Sequence, residues 1–362
     1  MARFSRLSGL GSYDTLTPMH EMNTSKPILT KAISIDLQNM LKHDSSPEST
    51  VELLQEFWST SVFQPWAEVR QRPSKNIRSH FVELGWLLSG SPKLKSPDIL
   101  LHISHIIETI HLGSLIIDDI HDDSHERRGA LALHRMYDLP LALNLGNFLY
   151  FQAAHLINEL DVSQKYRDVG LKQIIEIMRD AHLGQALDIS INITKVKPVK
   201  VPKLVETSLR LKSGALMKLS LKLGALLNDN FEDFSKIDRF GESFGSCLQK
   251  LDDIGNMNVA CLNPKHLEDL KLKRPTWIWS VLAQKGSEEN WNQFIKAVDQ
   301  LPEVKPLEDF LKATNLKTTA LDLALAELCK ITEILKTEFK LNESSQAYSL
   351  IIKMKEKLTN AY

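Results

Sequence analysis

Proline is absent from Lys203 to Asn263 and again after Pro306, and Pro140 alone interrupts the chain between Pro97 and Pro198. Proline removes a backbone donor and breaks helix interiors, so these stretches are where long helices can run. They are rich in Leu, Ile, Ala, Lys and Glu and lack the closely spaced Gly and Asn turns of a β protein. Small or apolar residues recur at helical spacing: Ile103, Ile107, Ile110, Ser114 and Ile117 make one stripe, and Asp118 follows Ser114 by four. Similar stripes run from Leu204 to Leu227, Phe240 to Leu251 and Leu321 to Phe339, with loops expected at 192–202 and 263–275. The expectation is an all-α fold, a single large helical bundle around a central apolar cavity, spanning residues 46–362.

Residues 1–45 are polar and Ser/Thr/Met-rich, with Arg3 and Arg6 preceding the first acid at Asp14. This extension reads as a loose tail or a weak targeting segment. The chain is 43% apolar and 25% charged with a net charge of −1, which suits a sizeable core and gives no electrostatic reason to expect nucleic acid. No uninterrupted apolar run reaches the roughly 18 residues of a membrane-spanning helix, so no transmembrane segment and a cytoplasmic protein are expected. Cys247, Cys261 and Cys329 show neither paired nor metal-ligand spacing and read as buried thiols in a reducing compartment.

The chemistry concentrates in Asp118-Asp119-Ile120-His121-Asp122-Asp123, followed by Glu126-Arg127-Arg128-Gly129. On a helix Asp118 and Asp122 share a face with Asp119 beside them, and carboxylates that close want a hard divalent cation such as Mg²⁺. Arg127 and Arg128 would then meet the anion that such metals hold, because the guanidinium fork matches phosphate oxygens in pairs. A second acidic pair, Asp252-Asp253 with Asn256 three residues on, repeats the spacing downstream. Either cluster alone could be a solvated acidic helix face. The apolar run from Ile110 to Ile117 entering the first one argues for a functional site instead, since charge at the end of a buried helix is costly without a partner. His121 and His125, near His111 and His134, could suggest zinc, but the surrounding carboxylates and arginines favour a hard metal and phosphate.

Together these residues resemble the trans-isoprenyl diphosphate synthase (polyprenyl synthetase) family over roughly residues 65–280. Asp118-Asp119-x-x-Asp122 with Arg127-Arg128-Gly129 resembles the first aspartate-rich motif of that family. Leu248-Gln249-x-x-Asp252-Asp253-x-x-Asn256 is similar to the second, with Asn256 where a third aspartate is usual. Lys75-Asn76-Ile77-Arg78 resembles the Lys-x-x-Arg that, with a histidine here matched by His111, grips the homoallylic diphosphate. Read without the family, Lys75 and Arg78 are as readily a solvated basic face. Leu211-Lys212-Ser213 resembles the segment whose lysine meets the allylic diphosphate, and Gln185 and Asp188 resemble a Gln-x-x-Asp pair on the preceding helix. Arg274, in Lys273-Arg274-Pro275-Thr276-Trp277, stands where a lysine is usual.

The resemblance implies the isoprenoid synthase fold, a homodimer, two or three Mg²⁺ ions, and an allylic prenyl diphosphate with isopentenyl diphosphate as substrates. It also implies metal ligation by Asp118, Asp119, Asp122, Asp252, Asp253 and Asn256. Asp118, Asp119, Asp122 and Asp252, with Arg127 and Lys212, would then carry catalysis. Lys75, Arg78, His111, Arg127, Arg128, Lys212, Ser213, Gln249 and Arg274 would hold substrate. Product length would be set beneath Asp118 by Ile110, Gly113 and Ser114, with Phe148, Tyr150 or Phe151 as a floor. Gly113 and Ser114, within a turn or two of about 5.4 Å each beneath Asp118, are small where short-chain members of the family carry aromatic rings, so the resemblance implies a product longer than fifteen carbons, about twenty. Two readings stay open on the same fold: a terpene cyclase or a prenyltransferase with another acceptor, and a non-catalytic regulatory subunit.

Overall fold

The structure, a computed structural model, describes residues 48–73, 76–96, 98–257 and 267–361. The expected extension, Lys75 and Cys261 lie outside the described residues. The chain divides into two compact units, Met1–Ala67 and Glu68–Tyr362. The first holds α1 (Glu48–Trp58), a π-turn (Ser59–Phe63) and the start of α2 (Gln64–Gln71).

Among its described residues the second unit consists of helices and connecting loops with one short hairpin. It runs through α3 (Ile77–Leu88), α4 (Ile99–His121), β1 (Glu126–Arg127), β2 (Ala130–Leu131), α5 (Leu133–Met136), α6 (Leu139–Asn158) and α7 (Gln164–Ser190). There follow α8 (Val201–Leu209), α9 (Ala215–Ala225), α10 (Phe234–Gly255), α11 (Glu268–Lys271) and α12 (Trp277–Lys285). The chain ends with α13 (Glu288–Asp299), α14 (Lys305–Thr314), α15 (Leu316–Glu338) and α16 (Gln346–Thr359). Local sequence sets several of the starts. Asp138 accepts the Leu141 amide before Pro140 begins α6, Ser163 caps α7, and Ser287 with Asn290 forms a capping box on α13.

Two apolar clusters make the core. One gathers Phe81, Phe244, Leu251, Trp279 and Phe294; the other gathers Ile103, Ile106, Ile107, Ile110, Ala153, Ile157 and Ile177. α3 and α9 contribute to both, Phe81 and Leu221 to the first and Val82 and Leu219 to the second. Helices buried on both sides need apolar residues all round and close contact. Glycine supplies the contact: a Cβ on Gly85 would lie 2.0 Å from the Leu221 carbonyl oxygen, and one on Gly224 would lie 2.0 Å from that of Val82. The two backbones meet through these reciprocal gaps.

α4 runs through the second cluster and, with a mean hydropathy of 1.5 over its most apolar window, is long and apolar enough to cross a bilayer. His111, Gly113 and Ser114 interrupt its apolar run, so its hydropathy shows only as an average. Within the fold 67% of that window is buried, so the core accounts for its composition. Cys247 is buried and its thiol donates to the Ala324 carbonyl at 3.3 Å, whereas Cys329 is exposed, contrary to the expectation of a buried thiol. A stripe model marks apolar spacing but not which flank of α15 is covered.

Gly85→Ala should lower stability by about 1–3 kcal/mol through overpacking at the α3–α9 crossing, read as a lower urea midpoint. An unchanged midpoint would mean that the two helices separate at no cost.

Candidate active site

The charges of the first motif begin where α4 runs out. Asp118 and Asp119 lie in its last turn and Asp122 is the C-terminal cap. α10 brings Gln249, Asp252 and Asp253 in its last turns and ends on Asn256. Both helix ends open on one cavity of about 460 Å³, whose walls include Asp118, Asp122, Asp252, Asp253, Asn256 and Lys212 together with Arg78, His111, Arg127 and Arg128. The two acidic motifs, 130 residues apart in the chain, therefore face a common space.

Lys212 is delivered by an irregularity. The segment Arg210–Gly214 between α8 and α9 winds as a π-turn, a geometry often found at functional sites. α7 passes tightly beside it, since a Cβ on Gly184 would sit 2.7 Å from the Lys212 amide nitrogen. That approach brings Gln185 and Asp188 to the Lys212 ammonium. Nζ donates to Asp188 Oδ2 at 2.6 Å and to Asp118 Oδ1 at 3.1 Å, and Gln185 Nε2 donates to the same Asp118 oxygen at 2.9 Å.

Each aspartate of the first motif has its own basic partner. Asp119 is 3% exposed, turned toward the hairpin, and gripped by Arg127, whose Nε donates to both carboxylate oxygens at 2.7 and 2.9 Å. Asp122 pairs with Arg274, Nη2 to Oδ1, at 2.8 Å. In the second motif Asp253 accepts the Trp277 amide at 2.8 Å and Gln249 Nε2 at 3.0 Å, so it caps α12. Ser213 Oγ donates to Gln249 Oε1 at 2.8 Å and ties the π-turn to the same network.

The hairpin β1–β2 carries Arg127 and Arg128, and its turn residues Arg128 and Gly129 are both left-handed, with φ of 55° and 80°. Arg128 Nη2 lies 3.5 Å from His111 Nε2. Arg72, buried on the loop after α2, donates from Nη1 to the Arg127 carbonyl at 3.0 Å and braces the turn. Burial, then the charges of Arg78, Arg128 and Arg127, hold the His111 imidazolium well below its ordinary pKa, so His111 is neutral. Glu108, one turn earlier on α4, offsets the charges of Arg78 and Arg128.

Carboxylates outnumber cations on the acidic side, and the titrations reflect it. Burial would raise the Asp118 carboxyl, yet Lys212 and Arg127 hold it well below the usual range. Asp122 is raised by burial and by the Asp118 charge, despite Lys212 and Arg274. Burial and the charge of Asp269 push Asp253 up to about 8, and burial and Asp188 push Asp269 up to about 7. These two acids are thus short of countercharge near neutral pH. A hard divalent cation would supply it, and the oxygen-rich donor set of Asp118, Asp122 and Asp252 fits one. Among the described residues no cluster stands in ready metal-ligating geometry; Lys212 and Arg274 pair with Asp118 and Asp122.

The product-length residues are arranged differently from the expected column. Ile110 is packed in the second core cluster. Gly113 meets α6 instead of the cavity: a Cβ there would lie 2.9 Å from the Gly146 carbonyl oxygen and 3.1 Å from Tyr150 Cε1. Ser114 is half-buried and its hydroxyl donates to the His111 carbonyl at 2.7 Å. Phe148 is half-buried, and Phe151 is 77% exposed and forms no floor, because it lies on the outer side of α6. Tyr150 is the α6 aromatic near the site, its phenol raised by burial and by the charge of Asp118. Asp269, Arg72 and Glu108 escaped the sequence reading. Asp269 had one signal, an acidic pair Glu268-Asp269 just before a basic loop, whereas Arg72 and Glu108 act through tertiary contacts that no spacing announces.

The chain is 29% identical over 198 residues to the geranylgeranyl pyrophosphate synthase of Dictyostelium discoideum, covering 54% of this chain and 60% of that protein. It is 30% identical over 169 residues to the geranylgeranyl pyrophosphate synthase of Eremothecium gossypii, covering 46% and 51%. The matches thus span only a little over half the length of these relatives. The fold is that of the geranylgeranyl pyrophosphate synthetase crystal structure from Pyrococcus horikoshii, with a TM-score of 0.67, 21% identity and coverage of 94% of this chain and 98% of that one. The polyprenyl synthetase family matches over residues 60–314, a span that holds the π-turn lysine, the arginine hairpin and both acidic helix ends. With that much of the chain matched, and the shared cavity in place, this protein belongs to the polyprenyl synthetase family.

Proposed function

We propose that this chain is a Mg²⁺-dependent prenyltransferase that joins an allylic prenyl diphosphate to isopentenyl diphosphate and releases a longer trans-prenyl diphosphate. A product of twenty carbons is supported by the geranylgeranyl pyrophosphate synthases among its relatives. The observation that carries this reading is the double lining of one cavity, acidic helix ends with Lys212 and a separate cationic group of Arg78, Arg128 and neutral His111. A cyclase that uses one diphosphate has no need of the second group.

The hard step is separation of charge as the allylic diphosphate leaves. Mg²⁺ held by Asp118, Asp122 and Asp252, with Asn256 as a carbonyl donor, would neutralise the departing diphosphate. Lys212 and Arg274 would add donors to the same group, preorganised by Asp188 and by the pinned loop around Arg274. Arg127 acts one step back, fixing Asp119 and the hairpin. Arg78, His111 and Arg128 would hold isopentenyl diphosphate so that its double bond meets the allylic carbon, a contribution of positioning. The neutral imidazole can donate to phosphate without adding to the crowd of positive charge. No protein nucleophile is required.

Exposed Leu139, Leu143 and Phe151 lie four or eight residues apart on α6 and make an apolar row. A second copy of the chain would cover that row, as the homodimer implied by the family resemblance requires. Phe151→Asp should then shift the solution mass by light scattering from dimer to monomer; a monomeric parent chain would overturn the assignment.

Incubation of the purified chain with Mg²⁺, an allylic starter and labelled isopentenyl diphosphate should place label in a longer diphosphate. Asp118→Asn should lower that turnover by about 10²–10³. A hydrocarbon or alcohol formed from the allylic diphosphate alone would instead identify a cyclase. No product without an added partner chain would identify a regulatory subunit.

If Tyr150 stops the growing tail, Tyr150→Ala should lengthen the product and Ser114→Phe should shorten it, both read by mass spectrometry. Unchanged products in both variants would move the length determinant elsewhere.

A further inference from the structure

Arg274 stands out among the basic groups of the acidic side because its guanidinium occupies a carboxylate that the proposed function needs for metal. Its Nη2 pairs with Asp122 Oδ1 at 2.8 Å, and both side chains are nearly buried. Its Nη1 donates to the Asp188 carbonyl at 3.1 Å. The third guanidinium nitrogen, Nε, is buried without a hydrogen-bond partner, so the present arrangement leaves one donor unmet. The backbone beneath it is fixed: the Arg274 amide donates to the Asp269 carbonyl at 2.9 Å, and the preceding Lys273 carbonyl accepts the Ile193 amide at 3.0 Å. Only the side chain is left to move.

We propose that Arg274 is an internal stand-in for the metal at Asp122. In the free protein it offsets the repulsion between Asp118 and Asp122. A divalent cation arriving at Asp122 displaces the guanidinium, which then turns its freed fork, including the unmet Nε, to the diphosphate that the cation brings. The same residue thus weakens binding of the metal alone and strengthens binding of metal and diphosphate together. This coupling makes joint arrival of the two favourable and holds the site closed to bare metal. Lysine in this position could not do the same, since one ammonium cannot span Asp122 and the Asp188 carbonyl with planar, fixed geometry. The inference rests on the proposed reading of the cavity as a metal and diphosphate site.

Calorimetric titration of the full chain with MgCl₂ alone, and then with inorganic pyrophosphate at saturating MgCl₂, tests it. Arg274→Gln should bind Mg²⁺ about tenfold more tightly than the parent and pyrophosphate about tenfold more weakly. Lys273→Gln removes the same charge one residue away, where Lys273 pairs with Asp299, and should change neither. Equal shifts in Lys273→Gln, or an Arg274→Gln variant whose Mg²⁺ affinity is unchanged or lower, would overturn the proposal. Circular dichroism checks that each variant is folded; should Arg274→Gln fail to fold, Arg274→Lys decides by the same two titrations, with a smaller opposite pair of shifts expected and no shift overturning it. A parent chain that binds no Mg²⁺ even with pyrophosphate present would instead defeat the reading of the cavity itself.

Discussion

The ion pairing of Lys212 with Asp118 and Asp188 is the contact on which the rest of the site depends. A lysine brought to the wall of a helical bundle would give up its charge unless carboxylates met it, and two acids that close would repel without it. Burial opposes the charge on Lys212, yet the two aspartates raise its pKa. The arrangement needs three helices to end or bend at one place. α4 must run out at Asp118, α7 must pass close enough to present Asp188, and the π-turn must turn Lys212 inward. The buried scaffold of α3 and α9, locked by reciprocal glycine gaps, is what holds those helices at their distances.

From this pairing follows a division of labour between the two sides of the cavity. On one side carboxylates are in excess, and burial and neighbouring carboxylates push Asp253 up to about 8 and Asp269 up to about 7. On the other, Arg78, Arg128 and neutral His111 are in excess of acid, moderated by Glu108. On the proposed function, a cavity polarised in this way suits two diphosphates that must be treated differently: one that would leave with metal, and one that would stay with arginine.

Much of this was legible in the sequence. The proline-free stretches became α4, α8–α9, α10 and α15, and the spacing of the two acidic motifs put both at helix ends facing one space. What spacing could not convey was direction. Asp118 and Asp119 are neighbours in the chain, but successive residues on a helix point about 100° apart, so one faces the cavity and the other faces Arg127. Asp252 and Asp253 both line the cavity, but the second also serves as a cap for α12. A column of Ile110, Gly113 and Ser114 holds for an isolated helix, whereas packing against α6 fills the space beside Gly113 with Gly146 and Tyr150. Contacts made by Arg72 and Glu108 depend on elements far apart in sequence, and no periodicity encodes them.

The π-turn at Arg210–Gly214 has a further consequence for the helices on either side of it. A π-turn holds one residue more than the α-turn it replaces, so α8 and α9 are out of phase, and the apolar stripe that looks continuous from Leu204 to Leu227 is in fact two stripes with a slip between them. The slip lets α8 feed a single apolar cluster while α9 feeds both. Excising one residue there would straighten the rod, rotate everything downstream, and carry the lysine off its aspartates. A local defect in winding is thereby the angular reference for the whole charged end of the barrel of helices.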